Sequence, residues 1–577
     1  MFRENDQHLQ HGLFDTFQQL PEKVRQRLET SWADTFYRET FCRIDESPFA
    51  VLYSDEPSRP NTPINILVGA EILKAGLGWS DEELYDEIQF NLQVRHALGL
   101  RDIGVVPFEV RTLYNFRNRL SRHMQEMGEN LLEQVFIQIT DEQLGTLKLK
   151  TGHQRMDSVM ISSNIRQGTR LQLLIEVVQR VWRVLTEEDQ AHYASVFESY
   201  LQGTAGQYCY RVKGEDVSGH LAAVGQLMYL LVTELDEHYV GEPVYQMLRR
   251  VFDEHFVVEG TEESDATVVR AKTGDELSAN SLQSPDDWEA TFCEKAGKGY
   301  RGYTSNLTET CDPQNPLQLI TYVQVGPNLT DDEQMLVDAL PGLKGRTDLD
   351  TLWTDGGFTG PAAEVACRTN EVRHVPTSIR GDRVSPTKLG LDAFDWELDE
   401  EGNPRSVRCP GGQQVTVRAG FKPKRFIADF DAMVCEQCPW ADQCRAEPRK
   451  KRPARALYIT AREAQVARLR QRSLQTRGVG KNWRAAVEST VRSVTHPFGG
   501  QSGKLPVRGQ PRVTQVIFCS AFMVNLRRIW RYERALAAKA SENPVLLLLV
   551  GFRSLRAWFH GRSVHPFPGF GLITAKS

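Results

Sequence analysis

The sequence predicts an α/β fold, and three features of the chain carry that prediction. Residues 154–161 have the apolar pattern of a strand with Asp157 inside it, although aspartate is depleted in strand interiors. Residues 349–353 predict a second buried strand, which ends at Asp355 and a glycine pair. Between and after these strands, apolar residues recur at helical spacing. Open α/β sheets carry their chemistry at the carboxyl ends of strands, so Asp355 is a candidate functional residue; the alternative is a helix-capping aspartate.

A third candidate carboxylate, Glu488, lies in a stretch with helical periodicity. The buried stripe predicted for this helix is formed by Trp483, Val487, Val491 and Val494. Arg484, Glu488 and Arg492 are four residues apart and share one face, which suits a site that binds metal and phosphate together. The alternative is an exposed ladder of ion pairs, which contributes only a few tenths of a kcal/mol per pair. The rival for Glu488 is Glu463, which lies in a run without a matching apolar stripe.

These stretches resemble the bacterial insertion-sequence transposases of the DDE type. The resemblance rests on RMDSVMISSN around Asp157, WTDGGFTG around Asp355 and RAAVEST around Glu488. It extends to SPFAVLYSDEPSRPNTPINILVGAEILKAGLGWSDEEL and LYNFRNRL near the amino terminus, and to LPVRGQPRV and NLRRIWR near the carboxyl terminus. The resemblance therefore covers most of the chain, and the order and spacing of the motifs together carry it.

The predicted elements also follow a ribonuclease-H-like order of strands, a helix, the strand before Asp355, a further helix and strand, and a late helix. We therefore expect a ribonuclease-H-like mixed sheet with a large helical insertion, a helical amino-terminal domain and a small Cys-rich insert. In that fold the strands of Asp157 and Asp355 lie side by side, although 198 residues separate the two aspartates.

The expected organisation has five parts. Residues 1–145 form a helical domain that binds DNA. Residues 146–375 form the first part of the catalytic core, with a helical insertion at 169–256, and residues 376–455 form the Cys-rich insert. The last part of the core, at 456–535, is basic and helical and carries Glu488, and a tail follows at 536–577.

The resemblance implies a metal-dependent DNA transposase. Asp157, Asp355 and Glu488 would hold two divalent cations, magnesium or manganese, roughly 3.5–4 Å apart. Water would cut the ends of the element, and the freed 3′-hydroxyl would then attack target DNA. Pairing of the two ends makes a homodimer the expected form on DNA. The alternatives are a ribonuclease-H-like nuclease without strand transfer and a non-catalytic DNA-binding relative; the presence of all three carboxylates argues against the second.

Arg484, Arg492 and Lys481 are the expected contacts to DNA phosphate near Glu488. In a related transposase group a Tyr, an Arg and a Lys surround the Glu at fixed offsets. Here Arg484 matches the Arg, but Lys481 stands where the Tyr would be and Thr495 where the Lys would be. The role of Lys481 and Arg484 therefore rests on charge rather than on a full match.

Charge is distributed unevenly along the chain. The formal net charge is −6, but residues 445–534 contain 21 Lys and Arg against four acidic residues, and we expect arginine-rich helices and loops there. A basic block on an otherwise acidic chain indicates a polyanionic partner such as DNA. One predicted helix of the amino-terminal domain carries Arg111, Arg117, Arg119 and Arg122. These arginines favour DNA binding by that domain, with a plain helical bundle as the alternative.

The ten cysteines are expected to be reduced in a cytoplasmic protein that has no membrane segment. The chain begins without an apolar signal segment, and the apolar run at 544–552 is far shorter than the ~20 residues of a spanning helix. Four cysteines have a spacing that can close a tetrahedral thiolate site for structural zinc, namely Cys409, Cys435, Cys438 and Cys444. Such a zinc would hold together an insert with little core; four unligated thiols and an iron–sulfur cluster are the alternatives.

Local signals predict several boundaries. Capping boxes, in which a Ser or Thr and a Glu three residues later cap a helix start, are predicted at Ser80 with Glu83 and at Thr330 with Glu333. Pro341 is expected to end the helix that follows the second box. Residues 257–290 are acidic and polar and predict a loop.

Overall fold

The computed structural model of the protein describes most of the chain. The described residues are 1–9, 15–54, 56, 59–260, 267–295, 297–377, 387–399, 401–421, 424–450, 452–476, 485–495, 497 and 504–542. Lys481, Trp483 and Arg484, and the tail beyond residue 542, lie outside these ranges. Within the ranges, no helix combines the length and the apolar character that are needed to cross a membrane.

The helices lie in three groups along the chain. The first contains α1 (Glu22–Glu29), α2 (Trp32–Glu39), α3 (Ile64–Leu77), α4 (Asp81–Phe90), α5 (Leu92–Ala97), α6 (Val110–Met127) and α7 (Leu131–Leu147). The second contains α8 (Arg170–Val184), α9 (Glu187–Phe197), α10 (Ala205–Arg211), α11 (Val217–Glu234), α12 (Asp236–Tyr239) and α13 (Pro243–His255). The third contains α14 (Asp332–Arg346), α15 (Pro361–Thr369), α16 (Ala432–Glu436), α17 (Ala461–Thr476), α18 (Ala485–Thr495) and α19 (Gln510–Glu542).

The strands form two larger sheets and one hairpin. The first strands are β1 (His153–Ser162), β2 (Phe256–Gly260), β3 (Thr267–Ala271), β4 (Thr291–Lys295), β5 (Lys298–Thr310), β6 (Ile320–Pro327), β7 (Thr351–Thr354) and β8 (Arg373–Pro376). They are followed by β9 (Asp395–Leu398), β10 (Pro404–Arg408), β11 (Gln414–Ala419), β12 (Arg425–Asp431), β13 (Glu447–Pro448) and β14 (Ala454–Thr460).

The central sheet has the strand order β6–β5–β1–β7–β8, with β4 also paired to β5. β1 runs antiparallel to β5 and parallel to β7, and β7 runs parallel to β8. The predicted adjacency of the strands that lead to Asp157 and Asp355 is therefore confirmed. This mixed α/β arrangement fits a ribonuclease-H-like core.

The two faces of the central sheet are covered by different helices. Met156 of β1 packs in an apolar cluster with Leu340 of α14 and with α15. Ile161 of β1 belongs instead to the cluster that includes Val491 of α18 and Ile517 of α19. Successive side chains of a strand point to opposite faces. Odd-numbered residues of β1 therefore lie on the face that α18 and α19 cover.

The amino-terminal helices share their core with the central sheet. Phe136 of α7 belongs to the same apolar cluster as Phe522 of α19 and Leu307 of β5. α19 also passes so close to α3 that a Cβ atom on Gly76 would lie 2.0 Å from Cγ of Met523. The long helix α19 thus fastens the amino-terminal helices to the sheet.

The helical insertion has an apolar core of its own, to which Leu174 of α8 and Val224 of α11 contribute. The loop predicted for residues 257–290 is wrong in part, because β2 and β3 form an antiparallel hairpin there. The physical reason is a run of valines, which favour strands, with Val268 exposed and Val269 buried in the core of the insertion.

The second larger sheet lies between β8 and α18 in the chain. Its strands pair in the order β13–β14–β12–β11–β10–β9, and its core includes Phe394, Trp396, Phe430 and Leu457. The expectation of an insert with little core is therefore wrong. β14 also lies where arginine-rich helices and loops were expected, because its alternate residues, such as Leu457, face this core.

Helix α14 differs from the prediction at both ends. No side-chain hydrogen bond caps its start, so the box predicted from Thr330 and Glu333 is wrong. The Glu333 carboxylate accepts a hydrogen bond from the backbone N–H of Ala363 (3.1 Å) and so joins α14 to α15. Pro341 lies inside the helix, which continues because the buried stripe extends to Leu343.

Candidate active site

Asp157 and Asp355 occupy corresponding positions on neighbouring strands. The last paired residues of β1 and β7 are Arg155 and Trp353, and each aspartate follows two residues later. Asp355 has an extended backbone (φ −88°, ψ −178°), so the alternation of β7 continues through it. Corresponding side chains of parallel strands point to the same face. Both aspartates therefore belong to the face that α18 covers.

Asp157 is buried in the interior of the sheet. It is paired with Leu307 of β5, and its exposed fraction is 7%. Its Oδ1 accepts a hydrogen bond from the backbone N–H of Ser158 (3.1 Å). A carboxylate in such a place is compensated by hydrogen-bond donors or by cations.

Asp355 is held at the end of β7 by local hydrogen bonds. Its Oδ1 accepts from the backbone N–H of Gly357 (2.7 Å), so the capping role considered as the alternative is present as well. The hydroxyl of Thr354 donates to the backbone oxygen of Asp355 (2.9 Å) and lies 2.8 Å from Nε2 of His374. Burial lowers the pKa of His374 to about 3, so its ring is neutral at pH 7. A neutral buried pair thus fixes the strand end that presents Asp355.

Asp332 is an acidic residue of this region that the sequence analysis missed. It begins α14, and its Oδ1 accepts a hydrogen bond from the hydroxyl of Ser158 at 2.5 Å. A Cβ atom on Gly357 would lie 2.6 Å from Oδ2 of Asp332 and 2.9 Å from Oδ1 of Asp355. The two carboxylates therefore flank the glycine turn. The only signal in the sequence is an acidic first turn of a helix, which also occurs wherever a helix start is capped.

Helix α18 lies on the same face as the two aspartates. Val487, Val491 and Val494 are buried, as predicted, and Thr490 is buried with them. Glu488 is exposed on this helix. Its predicted neighbour Arg492 is exposed as well, one helical turn further on. The other two predicted phosphate contacts, Lys481 and Arg484, lie outside the described residues.

The three carboxylates do not form a closed ligand cluster. Among the residues that the structure describes, no three His, Cys, Asp or Glu side chains lie close enough together to hold a metal ion. The strands align Asp157 with Asp355, whereas Glu488 is carried by a helix that packs on the sheet.

Glu463, the rival candidate, has a different role. It lies in the first turn of α17, where its Oε2 accepts a hydrogen bond from the backbone N–H of Thr460 (2.7 Å). In return, its own backbone N–H donates to the hydroxyl of Thr460 (3.2 Å). This reciprocal pair is a capping box at the start of α17.

The four clustered cysteines line one cavity of about 480 Å³ in the second sheet. All are free thiols, and Cys435 is the buried one. The backbone N–H of Cys438 donates to the carbonyl of Cys435 (3.3 Å), which closes the turn of the C-x2-C pair. A Cβ atom on Gly411 would lie 2.8 Å from Sγ of Cys438 and 3.7 Å from Sγ of Cys409. The sulfurs face a common space, although they are not gathered at ligand distances.

Comparison with known families gives two matches. A family model described as a transposase DDE domain matches residues 408–530, from the end of β10 into α19. A second, described as a transposase domain (DUF772), matches residues 25–119, from α1 into α6. No curated protein and no solved structure matches the chain. Both matches are to transposase domains, and together they indicate an insertion-sequence transposase of the DDE type.

Proposed function

We propose that the protein cleaves the ends of its element with water and then joins each freed 3′-hydroxyl to target DNA in the same site. The observation that carries the proposal is the parallel pairing of β1 with β7, which aligns Asp157 and Asp355 on the face that α18 covers. A DDE transposase domain implies a metal-dependent enzyme that cleaves DNA. Hydrolysis followed by strand transfer is the more detailed step that we add.

Asp157, Asp355 and Glu488 are the proposed ligands of two divalent cations, magnesium or manganese. Carboxylate oxygens are the hard ligands that these cations take, and substrate phosphate completes their coordination shell. The burial of Asp157 supports the fit, because a cation would offset the cost of keeping its carboxylate ionised there. When bound, the cations supply an activated nucleophile and stabilise the leaving oxygen of the phosphodiester.

The chain itself holds the DNA and orients the reacting groups. The strands keep Asp157 and Asp355 in fixed register, and Glu488 holds a cation or orients the attacking water. Arg492, exposed one turn from Glu488, contacts DNA phosphate in this proposal. Lys481 and Arg484 are the further proposed phosphate contacts.

The amino-terminal helices are the proposed site of recognition of the element's ends. Arg111, Arg119 and Arg122 of α6 are exposed, and the Arg119 guanidinium lies 4.7 Å from the ring centroid of Tyr53. Arg117 differs, because it is buried and paired with Glu71 and is thus part of the core. Three exposed cations on one helix supply phosphate contacts, which position a protein on DNA.

Two further features belong to the proposal. A structural zinc held by Cys409, Cys435, Cys438 and Cys444 would close the cavity that these thiols line, because thiolates are the preferred ligands of structural zinc.

The active form on DNA is a homodimer in the cytoplasm, since two element ends must be cut and joined together.

The test uses duplex DNA with the terminal sequence of the protein's own element, together with a supercoiled target plasmid and Mg²⁺ or Mn²⁺. We expect a cut at the element end and a product in which that end is joined to the plasmid. A cut without joined product would favour the nuclease. Binding that survives removal of the metal, without cleavage in either cation, would identify a non-catalytic DNA-binding relative.

A further inference from the structure

A buried network of four side chains connects β1 to α18 and α19. Glu309 of β5 lies directly opposite Arg155 of β1, and its side chain is fully buried. Its Oε1 accepts a hydrogen bond from Nε of Arg155 (2.6 Å) and forms an ion pair with Nη2 of the same guanidinium (2.5 Å). Its Oε2 accepts from the Thr490 hydroxyl of α18 (2.7 Å) and from Nη1 of Arg528 of α19 (2.6 Å). Nη2 of Arg528 also donates to the Thr490 hydroxyl.

Both ends of this network lie two residues from proposed metal ligands. Arg155 precedes Asp157 by two residues on β1, so the two side chains share a face of the sheet. Thr490 follows Glu488 by two residues on the single helix α18. A displacement of α18 relative to β1 would therefore move Glu488 relative to Asp157 and would also break the bonds to Glu309.

The hydrogen-bonded network restricts the position of α18, whereas the apolar contacts of that helix do not. Val491 and Val494 hold the helix on the sheet, but apolar burial is non-directional and tolerates sliding. Hydrogen bonds to an ionised group are short and directional, and they are stronger in a buried place. Glu309 accepts one such bond from each of three different elements, so it fixes where α18 lies.

We propose that Glu309 is a positioning residue, which sets the location of Glu488 relative to Asp157 through Thr490. This inference rests on the proposed function, because it assigns Glu488 to the same metal site as Asp157. Glu309 itself touches neither metal nor DNA. Its effect on the reaction passes through the placement of α18.

The most direct test is Thr490→Val, which keeps the shape of the side chain and removes the hydroxyl. The matched control is Thr495→Val on the same helix, whose hydroxyl, among the described residues, bonds to carbonyls of its own helix at Val491 (3.2 Å) and Arg492 (3.4 Å). Cleavage of the element-end duplex is measured over a range of DNA and Mg²⁺ concentrations. We expect Thr490→Val to lower kcat by about 10–100-fold, because small misplacements of catalytic groups have effects of that order.

Three features separate positioning from general stability. KM for the DNA should stay unchanged in Thr490→Val, the Mg²⁺ concentration for half-maximal rate should rise, and Mn²⁺ should restore part of the rate. Thr495→Val should keep the wild-type values. Equal kcat and equal Mg²⁺ dependence in the two variants would overturn the proposal.

Hydrogen exchange of residues 485–495 gives a readout that does not depend on activity. We expect faster exchange of α18 in Thr490→Val, and in Glu309→Gln where that variant folds, while Thr495→Val and the rest of the sheet keep wild-type protection. Unchanged protection of α18 in Thr490→Val would overturn the inference even if the wild-type protein cleaves DNA. A wild-type protein that cleaves no DNA in Mg²⁺ or Mn²⁺ would instead refute the proposed function, and the exchange experiment would still test the placement of α18.

Discussion

Arg155 and Trp353 are the last paired residues of two parallel strands, and each precedes an aspartate by two residues. This register converts a separation of 198 residues along the chain into neighbouring positions on one face of a sheet. Strand pairing is rigid because every backbone hydrogen bond of the ladder would have to slip together. A site built on such strands holds its two aspartates in a defined relation before DNA or metal binds.

Asp157→Asn and Asp355→Asn should each abolish cleavage of element-end DNA and leave DNA binding largely intact. The amide keeps the shape but loses the charge that holds a cation, and several kcal/mol of lost transition-state stabilisation corresponds to about 10²–10³-fold or more in rate. Cleavage and gel-shift assays on the same duplex would measure both effects. Loss of binding in both variants would mean that the aspartates serve the fold rather than the reaction.

Glu488→Gln should reduce cleavage to a similar extent, whereas Glu463→Gln should not. Glu463 caps the start of α17 through Thr460, and glutamine preserves a capping box. The two variants carry the same chemical change on neighbouring helices of the basic part of the chain. Equal activity of both variants in the cleavage assay would remove Glu488 from the proposed site, and a specific loss in Glu463→Gln would reverse the assignment.

The motifs around the aspartates could be predicted because each combines a strand pattern with a residue type that is rare there. The capping box of Ser80 and Glu83 was also predictable, since it needs only local residues, and it is confirmed. Glu309 could not be recognised in this way. Its partners lie 154, 181 and 219 residues away in the chain, and a lone glutamate in a strand of polar residues carries no local signal.

The second sheet escaped prediction for a related reason. Its strands are short, and several alternate buried with exposed charged residues, so the apolar signal of each strand is weak. In β14 one arginine and one tyrosine lie close to the buried Leu457, a composition that also suits an exposed helix. The core forms only when β12, β14 and α17 pack together. Such packing depends on tertiary contacts, which the local sequence pattern does not reveal.

Cys438→Ser should release zinc from the purified protein and loosen residues 409–444 without unfolding the second sheet. The sheet has an apolar core of its own, so the metal would order the cavity rather than create the fold. Metal analysis should find one zinc per wild-type chain, and limited proteolysis should detect the loosening. Cys293→Ser, in β4 and away from this cavity, is the matched control. Wild-type protein without zinc would eliminate the site.

Gly76→Ala should destabilise the protein by about 1–3 kcal/mol, because overpacking at a close helix contact has costs of that size. A Cβ atom at this position would lie 2.4 Å from Cβ of Met523, a part of that side chain that cannot move without shifting α19. Gly145→Ala on α7 is the control, since no atom lies within 4 Å of its added Cβ, and alanine there should stabilise by about 0.5–1 kcal/mol. Chemical unfolding would measure both. Equal effects would contradict the close packing of α3 on α19.

His374 should make the protein less stable in acid. Burial lowers its pKa from 6.5 to about 3, so above pH 6.5 the folded and unfolded states are both neutral at this residue and no proton is exchanged on unfolding. As the pH falls from 6.5 towards 3, the unfolded state binds a proton that the folded state does not. The free energy of unfolding should therefore fall by up to about 1.4 kcal/mol per pH unit in that window.

His374→Gln can still donate to Thr354. In urea unfolding, its free energy of unfolding should fall less steeply from pH 7 to pH 4 than that of the wild-type protein. His153→Gln on the same sheet, where the imidazole is partly exposed, is the control, and an unaltered slope in His374→Gln would mean that the ring takes up its proton in the folded protein.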